Sequence, residues 1–226
     1  MTRKPDREGK VRDLVRFILL GGPCRASDAA RHLGMSQPAF SRLVALAGDE
    51  ILVMGRARST RYAARRMIPS VGRSIPIYEI DETGNTRRLA ILHAIRPAGF
   101  HVEAVSGDVR GGLYRDLPYF LHDMRPSGFL GRLIPRRHPD LEVPPDIRSW
   151  TSDHCLAYLA RHGWNHTGNL VVGDEALGRY LAWTLGEPEA VPADERAARY
   201  PVIAADVLAA GPAGSSAAGE QPKFLV

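Results

Sequence analysis

Cysteine is nearly absent from this 226-residue sequence, which has only Cys24 and Cys155, far apart along the chain. Two such cysteines exclude a disulfide framework and a cysteine-based metal site. The sequence also lacks an apolar run long enough to span a bilayer. Its charged start, residues 1–8, has no apolar signal-peptide core behind it. We therefore expect a cytoplasmic protein without a membrane partner.

Metal-ligand and hydrolase motifs are missing as well. The eight histidines are scattered, and no His-x-x-x-His helix or Cys pair accompanies them. His162 and His166 are four residues apart, but Gly163 and Asn165 between them argue against a helix. No nucleophile elbow supports Ser/His/Asp hydrolysis. The sequence thus predicts no metal site and no catalytic residue.

Positive charge is concentrated at the N-terminal end. Residues 1–66 hold 14 Arg and Lys against 6 Asp and Glu, a net of +8, whereas residues 67–226 hold 16 against 19, a net of −3. A basic segment ahead of a mildly acidic remainder is typical of a small nucleic-acid-binding domain joined to another module.

Three short helices are predicted in this basic segment. Apolar residues recur at spacings of three and four between Lys10 and Leu20, which predicts the first helix. Ser27 is the expected N-cap of the second helix, and Gly34 ends it in a left-handed turn. Ser36 is the expected N-cap of the third helix, with Pro38 in its first turn. The expected apolar face of this helix consists of Phe40, Leu43, Val44 and Leu46.

The stretch 26–43 has the spacing of a helix–turn–helix, and two short strands around a basic tip follow it at 51–62. This pattern resembles the winged helix–turn–helix regulators of bacteria. A recognition helix enters the major groove with its N-terminal residues against base edges. The predicted DNA contacts are Ser36, Gln37, Ser41 and Arg42 on the helix, and Arg56, Arg58 and Arg61 at phosphates or the minor groove. A dimerisation or protein-docking module is the alternative.

A second segment begins near residue 70. Strand-like alternation at 75–80, 86–95 and 100–105 predicts a small antiparallel sheet. Helices are expected at 153–162, 176–185 and 196–210, the last interrupted near Pro201, and a buried strand is expected at 170–172. The fold class is therefore α+β, with residues 1–66 as the first domain and 70–210 as the second.

The sequence ends in a loop of small residues at 211–226, a composition that lets backbone N–H groups approach a phosphate. Its pattern Ser-x-Ala-x-Gly-x-Gln-x-Lys resembles the glycine-rich loop of HipA-family serine/threonine kinases, the toxins of bacterial toxin–antitoxin pairs. Leu117-Pro118-Tyr119-Phe120 and Pro126-Ser127-Gly128 resemble the N-terminal subdomain of the same family. By this resemblance the ATP-phosphate loop comprises Ser215, Ser216, Gly219, Gln221 and Lys223, with Ser216 as the autophosphorylation candidate.

The resemblance implies a division of roles. Kinase catalytic and Mg²⁺-binding residues follow the glycine-rich loop, so this chain is expected to be inactive alone and to use ATP and Mg²⁺ only when a kinase core is supplied. The expected partners are double-stranded DNA and a kinase-core polypeptide or an antitoxin, and a homodimer is left open. The alternative function is a stand-alone winged-helix transcription regulator whose second domain binds a ligand or partner.

Overall fold

The computed structural model describes residues 7–186 and 191–209. The predicted phosphate loop, with Ser215, Ser216, Gly219, Gln221 and Lys223, lies outside the described residues. The chain divides into two compact units. One comprises Met1–Ile77 with Arg88–Pro118, and the other comprises Tyr78–Arg87 with Tyr119–Val226.

The first unit begins with three helices, α1 (Arg7–Gly21), α2 (Ala26–His32) and α3 (Gln37–Ala47). They share one apolar core, because the residues spaced three and four apart on each helix point inward. Its fully buried members include Leu14, Ile18, Ala29 and Phe40. Leu46 was expected on the inner face of α3, but it is 59% exposed, because the burial stripe runs through Phe40, Leu43 and Ala47 instead.

The ends of these helices test the capping predictions. The Ser36 hydroxyl accepts a hydrogen bond from the Ala39 N–H at 3.4 Å, which confirms Ser36 as the N-cap of α3. Gly34 adopts a positive φ of 61°, as predicted for the turn after α2. The prediction for Ser27 is wrong: α2 starts at Ala26, two residues earlier than a Ser27 cap requires, so Arg25 is the N-cap and makes no side-chain capping bond.

A two-stranded antiparallel ribbon follows α3. Strand β1 (Ile51–Met54) pairs with β2 (Arg61–Ala64) in a register that places Ile51 opposite Ala64 and Met54 opposite Arg61. Ile51 and Ala64 complete the core of the three helices. Leu52, Met54 and Ala63 instead form a small cluster with Ile95. The ribbon is therefore buried at its base and reaches into solvent at the turn between its strands.

Five strands form the larger sheet, in the order β6-β5-β4-β3-β7. Their bounds are β3 (Ser74–Ile80), β4 (Thr86–Ala94), β5 (Phe100–Ala104), β6 (Gly112–Tyr114) and β7 (Leu170–Val172). The Asp81 carboxylate accepts from the Thr83 and Asn85 N–H groups and thereby closes the turn between β3 and β4. Strands β4, β5 and β6 are antiparallel neighbours. The α+β class with an antiparallel sheet is confirmed.

Helices of the second unit are α4 (Gly128–Arg137), α5 (Ser152–His162), α6 (Asp174–Leu185) and α7 (Arg196–Ala209). The sequence did not predict α4, since Pro135 and two glycines interrupt its pattern, yet it buries Phe129 and Leu133 against Ile203 of α7. The expected interruption of α7 near Pro201 is not seen, and the helix continues through that residue. Within residues 7–186 and 191–209, no helix is both long and apolar enough to cross a bilayer.

Candidate nucleic-acid interface

The N-terminal half of α3 presents a polar face. Gln37, Ser41 and Arg42 are exposed, while Phe40 and Leu43 on the other side of the helix are buried. The Arg42 Nε–H donates to the Pro38 carbonyl at 3.3 Å, which holds the guanidinium along the first two turns. Ser36 is exposed, but its hydroxyl is engaged as the N-cap. Three of the four residues predicted to contact DNA from the helix, Gln37, Ser41 and Arg42, thus have exposed side chains on the polar face of α3.

The turn of the ribbon has a defined shape. Gly55 takes a positive φ of 74°, and a Cβ there would lie 3.0 Å from the Ser59 carbonyl oxygen. The Ser59 hydroxyl donates to the Arg56 carbonyl at 2.7 Å and accepts from the Arg56 N–H at 3.4 Å. The predicted phosphate contacts Arg56, Arg58 and Arg61 are all exposed around this turn. A short hydrogen-bonded turn presents guanidinium groups at low conformational cost.

Two further arginines at the base of the ribbon have a different environment. The Arg65 side chain is only 17% exposed, and its Nη1 donates to the Ser74 hydroxyl at 2.7 Å and lies 3.3 Å from His93 Nδ1. Arg66 lies over the Phe100 ring at 5.1 Å and donates to the Ile95 carbonyl at 3.2 Å. These contacts join the ribbon to the sheet. In the sequence, Arg65 and Arg66 appear only as two adjacent arginines, a pattern that does not distinguish packed arginines from solvent-exposed ones.

A chain of polar side chains continues from Arg65 across the sheet. His93, itself 5% exposed, has Nδ1 2.9 Å from the Ser74 hydroxyl and Nε2 3.1 Å from the Glu103 carboxylate. Burial lowers the pKa of His93, against the opposing effect of the Glu103 hydrogen bond. His101 is the cross-strand neighbour of His93, and burial together with that neighbour lowers the pKa of His101 to about 4. Both imidazoles are therefore neutral at pH 7.

The second unit contains a cluster that the sequence did not predict. His138 follows α4, Asp140 lies in the next short helical turn, and His162 ends α5. One ligand atom from each of the three side chains, an imidazole nitrogen or a carboxylate oxygen, lies within 4.8 Å of the other two. Linear spacing could not reveal this group, because Asp140 and His162, which share a hydrogen bond, lie 22 residues apart in the sequence. The prediction of no metal site rested on the scatter of the histidines along the sequence and on the lack of a His-x-x-x-His helix or a Cys pair.

Comparison with known proteins connects this architecture with toxins. Residues 71–181, which contain the larger sheet and helices α4 and α5, match the family model described as the YjjJ-like toxin, middle domain. This match supports a toxin family. More particularly, the chain is 38% identical over 210 residues to Toxin YjjJ of Escherichia coli (strain K12).

That alignment covers 92% of this chain and 46% of the relative, so the chain spans about half the length of the curated protein it matches. No solved structure matches the chain. These similarities support a toxin relationship.

Proposed function

We propose that this chain is the DNA-binding and regulatory portion of a toxin of the HipA type, in which residues 1–66 act as a winged helix–turn–helix. The toxin relationship supports this function over a stand-alone regulator. The observation that carries the DNA-binding part is the joint exposure of the polar half of α3 and of three arginines around the ordered ribbon turn.

The chemistry assigns different tasks to the two elements. An α-helix fits the major groove, where amide and guanidinium side chains form bidentate contacts with adenine and guanine edges. Gln37 and Arg42 are suited to that readout, with Ser41 as an adaptable partner. Arg56, Arg58 and Arg61 are suited to phosphates or to a narrow minor groove, because their interaction is electrostatic and independent of sequence.

The test is fluorescence anisotropy of the 226-residue chain with labelled duplex DNA over a range of salt concentrations. Affinity should fall steeply with salt, because phosphate contacts release counterions. The double variant Arg56→Ala/Arg58→Ala should weaken binding to all duplexes and reduce the logarithmic salt slope by about 2, roughly one for each lost phosphate contact. Arg42→Ala should instead relax the preference for a duplex selected from a random pool.

The matched control is Arg115→Ala, which removes one exposed positive charge outside residues 1–66. It should leave both affinity and salt slope nearly unchanged. If Arg115→Ala weakens binding as much as Arg58→Ala alone does, the attraction comes from the charge of the chain in general, and the assigned interface is wrong.

The kinase part of the proposal concerns the loop at 211–226. There Ser215, Ser216, Gly219, Gln221 and Lys223 complete a phosphate loop once a kinase-core polypeptide binds, and ATP with Mg²⁺ is bound only in that complex. Incubation with labelled ATP and Mg²⁺ should leave Ser216 unlabelled in the isolated chain and label it when the core is added. Label on Ser216 in the isolated chain would contradict the proposed division of roles.

A further inference from the structure

The cluster of His138, Asp140 and His162 is built by two elements of the second unit. The backbone leaves α4 at Arg137, and Pro139 starts the helical turn that carries Asp140. His162 lies on the last turn of α5, and its ring stacks on that of His138 with centroids 3.9 Å apart and an interplanar angle of 24°. His162 Nε2 lies 2.9 Å from Asp140 Oδ2. The end of α5 therefore meets the segment after α4 through three side chains that can ligate metals.

We propose that these three side chains form a site for Zn²⁺ or a chemically similar divalent transition metal. Two imidazoles and one carboxylate are typical ligands of such ions, whereas Ca²⁺ and Mg²⁺ require mainly oxygen ligands. Tetrahedral ligands at 2.0–2.1 Å from zinc lie about 3.3 Å from one another. The three donor atoms already lie within 4.8 Å of one another. Rotation of the His138 ring out of its stack is the adjustment that brings the third donor to the metal.

Exposure and hydrogen bonding leave room for the ion. The Asp140 side chain is 42% exposed while that of His162 is 11% exposed, so the cluster is open to solvent on the aspartate side. A carboxylate has about four lone-pair sites. Asp140 can therefore keep its contact with Arg161, at 3.1 Å, while one lone pair turns to the metal. Arg161 Nη1 also donates to the Asp140 backbone carbonyl at 3.1 Å, which fixes the position of this ligand.

The proton on His162 determines how the metal enters. Arg179 Nη1 lies 3.4 Å from Nδ1 of His162, so Nδ1 accepts and Nε2 donates to Asp140. A metal at Nε2 takes the place of that N–H, so the N–H of the imidazole then lies on Nδ1. An N–H on Nδ1 then faces the Arg179 guanidinium, which is unfavourable. Arg179 already bonds Glu175 at 2.9 Å, so it can withdraw toward that carboxylate.

The Arg179 guanidinium therefore opposes metal binding at His162. A site that Arg179 weakens should bind metal more tightly when the guanidinium is removed, whereas adventitious binding to surface histidines should not respond. Arg179→Met keeps most of the length of the side chain and lacks the charge. We expect Arg179→Met to raise Zn²⁺ affinity several-fold, while Asp140→Asn and His162→Ala lower it at least tenfold.

The experiment uses the untagged 226-residue chain, freed of metal, in competition with a chromophoric chelator for Zn²⁺. Wild type should bind one ion per chain, and Co²⁺ should give the intense visible absorption of a tetrahedral or five-coordinate complex with imidazole ligands. Saturating Zn²⁺ should raise Tm, because a ligand that binds only the folded state stabilises it. Asp140→Asn nearly preserves shape and serves as the second variant if His162→Ala fails to fold.

The control variants are His122→Ala, an exposed histidine of the same unit, and Cys24→Ser, which removes a half-buried thiol. Both should bind Zn²⁺ as wild type does. The proposal is overturned if Asp140→Asn and Arg179→Met both match wild type, if the stoichiometric ion is lost in Cys24→Ser, or if Zn²⁺ leaves Tm unchanged.

Discussion

Two groups of arginines on the same ribbon have opposite environments. Arg56, Arg58 and Arg61, around the turn, are exposed, whereas Arg65 and Arg66, at the base, pack against the larger sheet. All five contribute equally to the net charge of +8 in residues 1–66. The comparison shows that a count of positive charges overstates the charge available for phosphates, because part of it attaches one structural element to another.

The base arginines are held by specific partners. Arg65 Nε lies 3.5 Å from the Asp49 carboxylate, which Arg73 also approaches, at 3.4 Å. The backbone continues the attachment, since the Arg66 N–H donates to the Ala94 carbonyl at 3.0 Å and the Arg96 N–H donates to the Ala64 carbonyl at 2.8 Å. The base therefore stabilises the first unit, whereas the exposed side chains of Arg56, Arg58 and Arg61 can be altered without disturbing packing.

The largest effect that separates the two groups should come from Arg65→Ala. The change removes a partner from Ser74 and His93 and leaves the buried imidazole with one charge-assisted contact fewer. Hydrogen bonds to charged groups contribute roughly 1.5–3 kcal/mol each. We expect the free energy of unfolding to fall by about 2 kcal/mol, measured by urea denaturation.

The reciprocal variant is Arg58→Ala at the turn. It should change the free energy of unfolding by less than about 0.5 kcal/mol, as is usual for exposed positions, while weakening DNA binding. If Arg65→Ala proves as stable as wild type, the polar chain from Arg65 to Glu103 does not stabilise the unit, and the contrast between base and turn disappears.

Much of the fold could be predicted from local signals. Periodicity and caps placed α1, α3, α5 and α6 and all the strands of the larger sheet except β6, since each signal lies within the element it specifies. The elements that the sequence did not predict are those that depend on contacts between distant positions. Helix α4 forms because Phe129 and Leu133 pack against residue 203, a distant position that no local pattern reveals.

Sites follow the same rule. The exposed residues of α3 lie within one helix and those of the ribbon turn within one turn, so their exposure could be predicted from local patterns. By contrast, Ser74, His93 and Glu103 come from three strands, and His138 and His162 come from the ends of different helices. Such groups depend on strand register and helix packing, which the sequence pattern does not determine.

A smaller change in the free energy of unfolding should come from pH, and it should again arise near the base of the ribbon and not at the turn. The folded pKa of His101 is lowered to about 4, below the ordinary value of 6.5. The unfolded chain therefore binds more protons between these values, and the free energy of unfolding falls as pH decreases from 6.5 toward 4. In His101→Phe this part of the pH dependence should vanish, a difference of about 1 kcal/mol after allowance for solvent screening.

Acid also protonates carboxylates, so the informative quantity is the difference between wild type and His101→Phe across the pH range. Phenylalanine keeps a ring beside His93 and removes the buried Nδ1 of His101, which lacks a hydrogen-bond partner. A constant difference from pH 7 to pH 4 would show that His101 does not titrate between these limits. Arg58→Ala, at the turn, should follow the wild-type pH curve.

A loss of stability similar in size to the pH effect should come from Gly55→Ala, which changes the shape of the turn without changing its charge. Alanine at a φ of 74° is strained, and its Cβ meets the Ser59 carbonyl at 3.0 Å. We expect a loss of about 1 kcal/mol. Gly178→Ala, on an exposed helical position with no atom within 4 Å of the new Cβ, is the matched control and should stabilise slightly.

Because the Arg56 and Ser59 hydrogen bonds orient the arginines, Gly55→Ala should also weaken duplex binding several-fold, measured by anisotropy at fixed salt. Unchanged DNA affinity despite the stability loss would show that the arginines act only as mobile charges, and the ordered turn would then have no role in recognition.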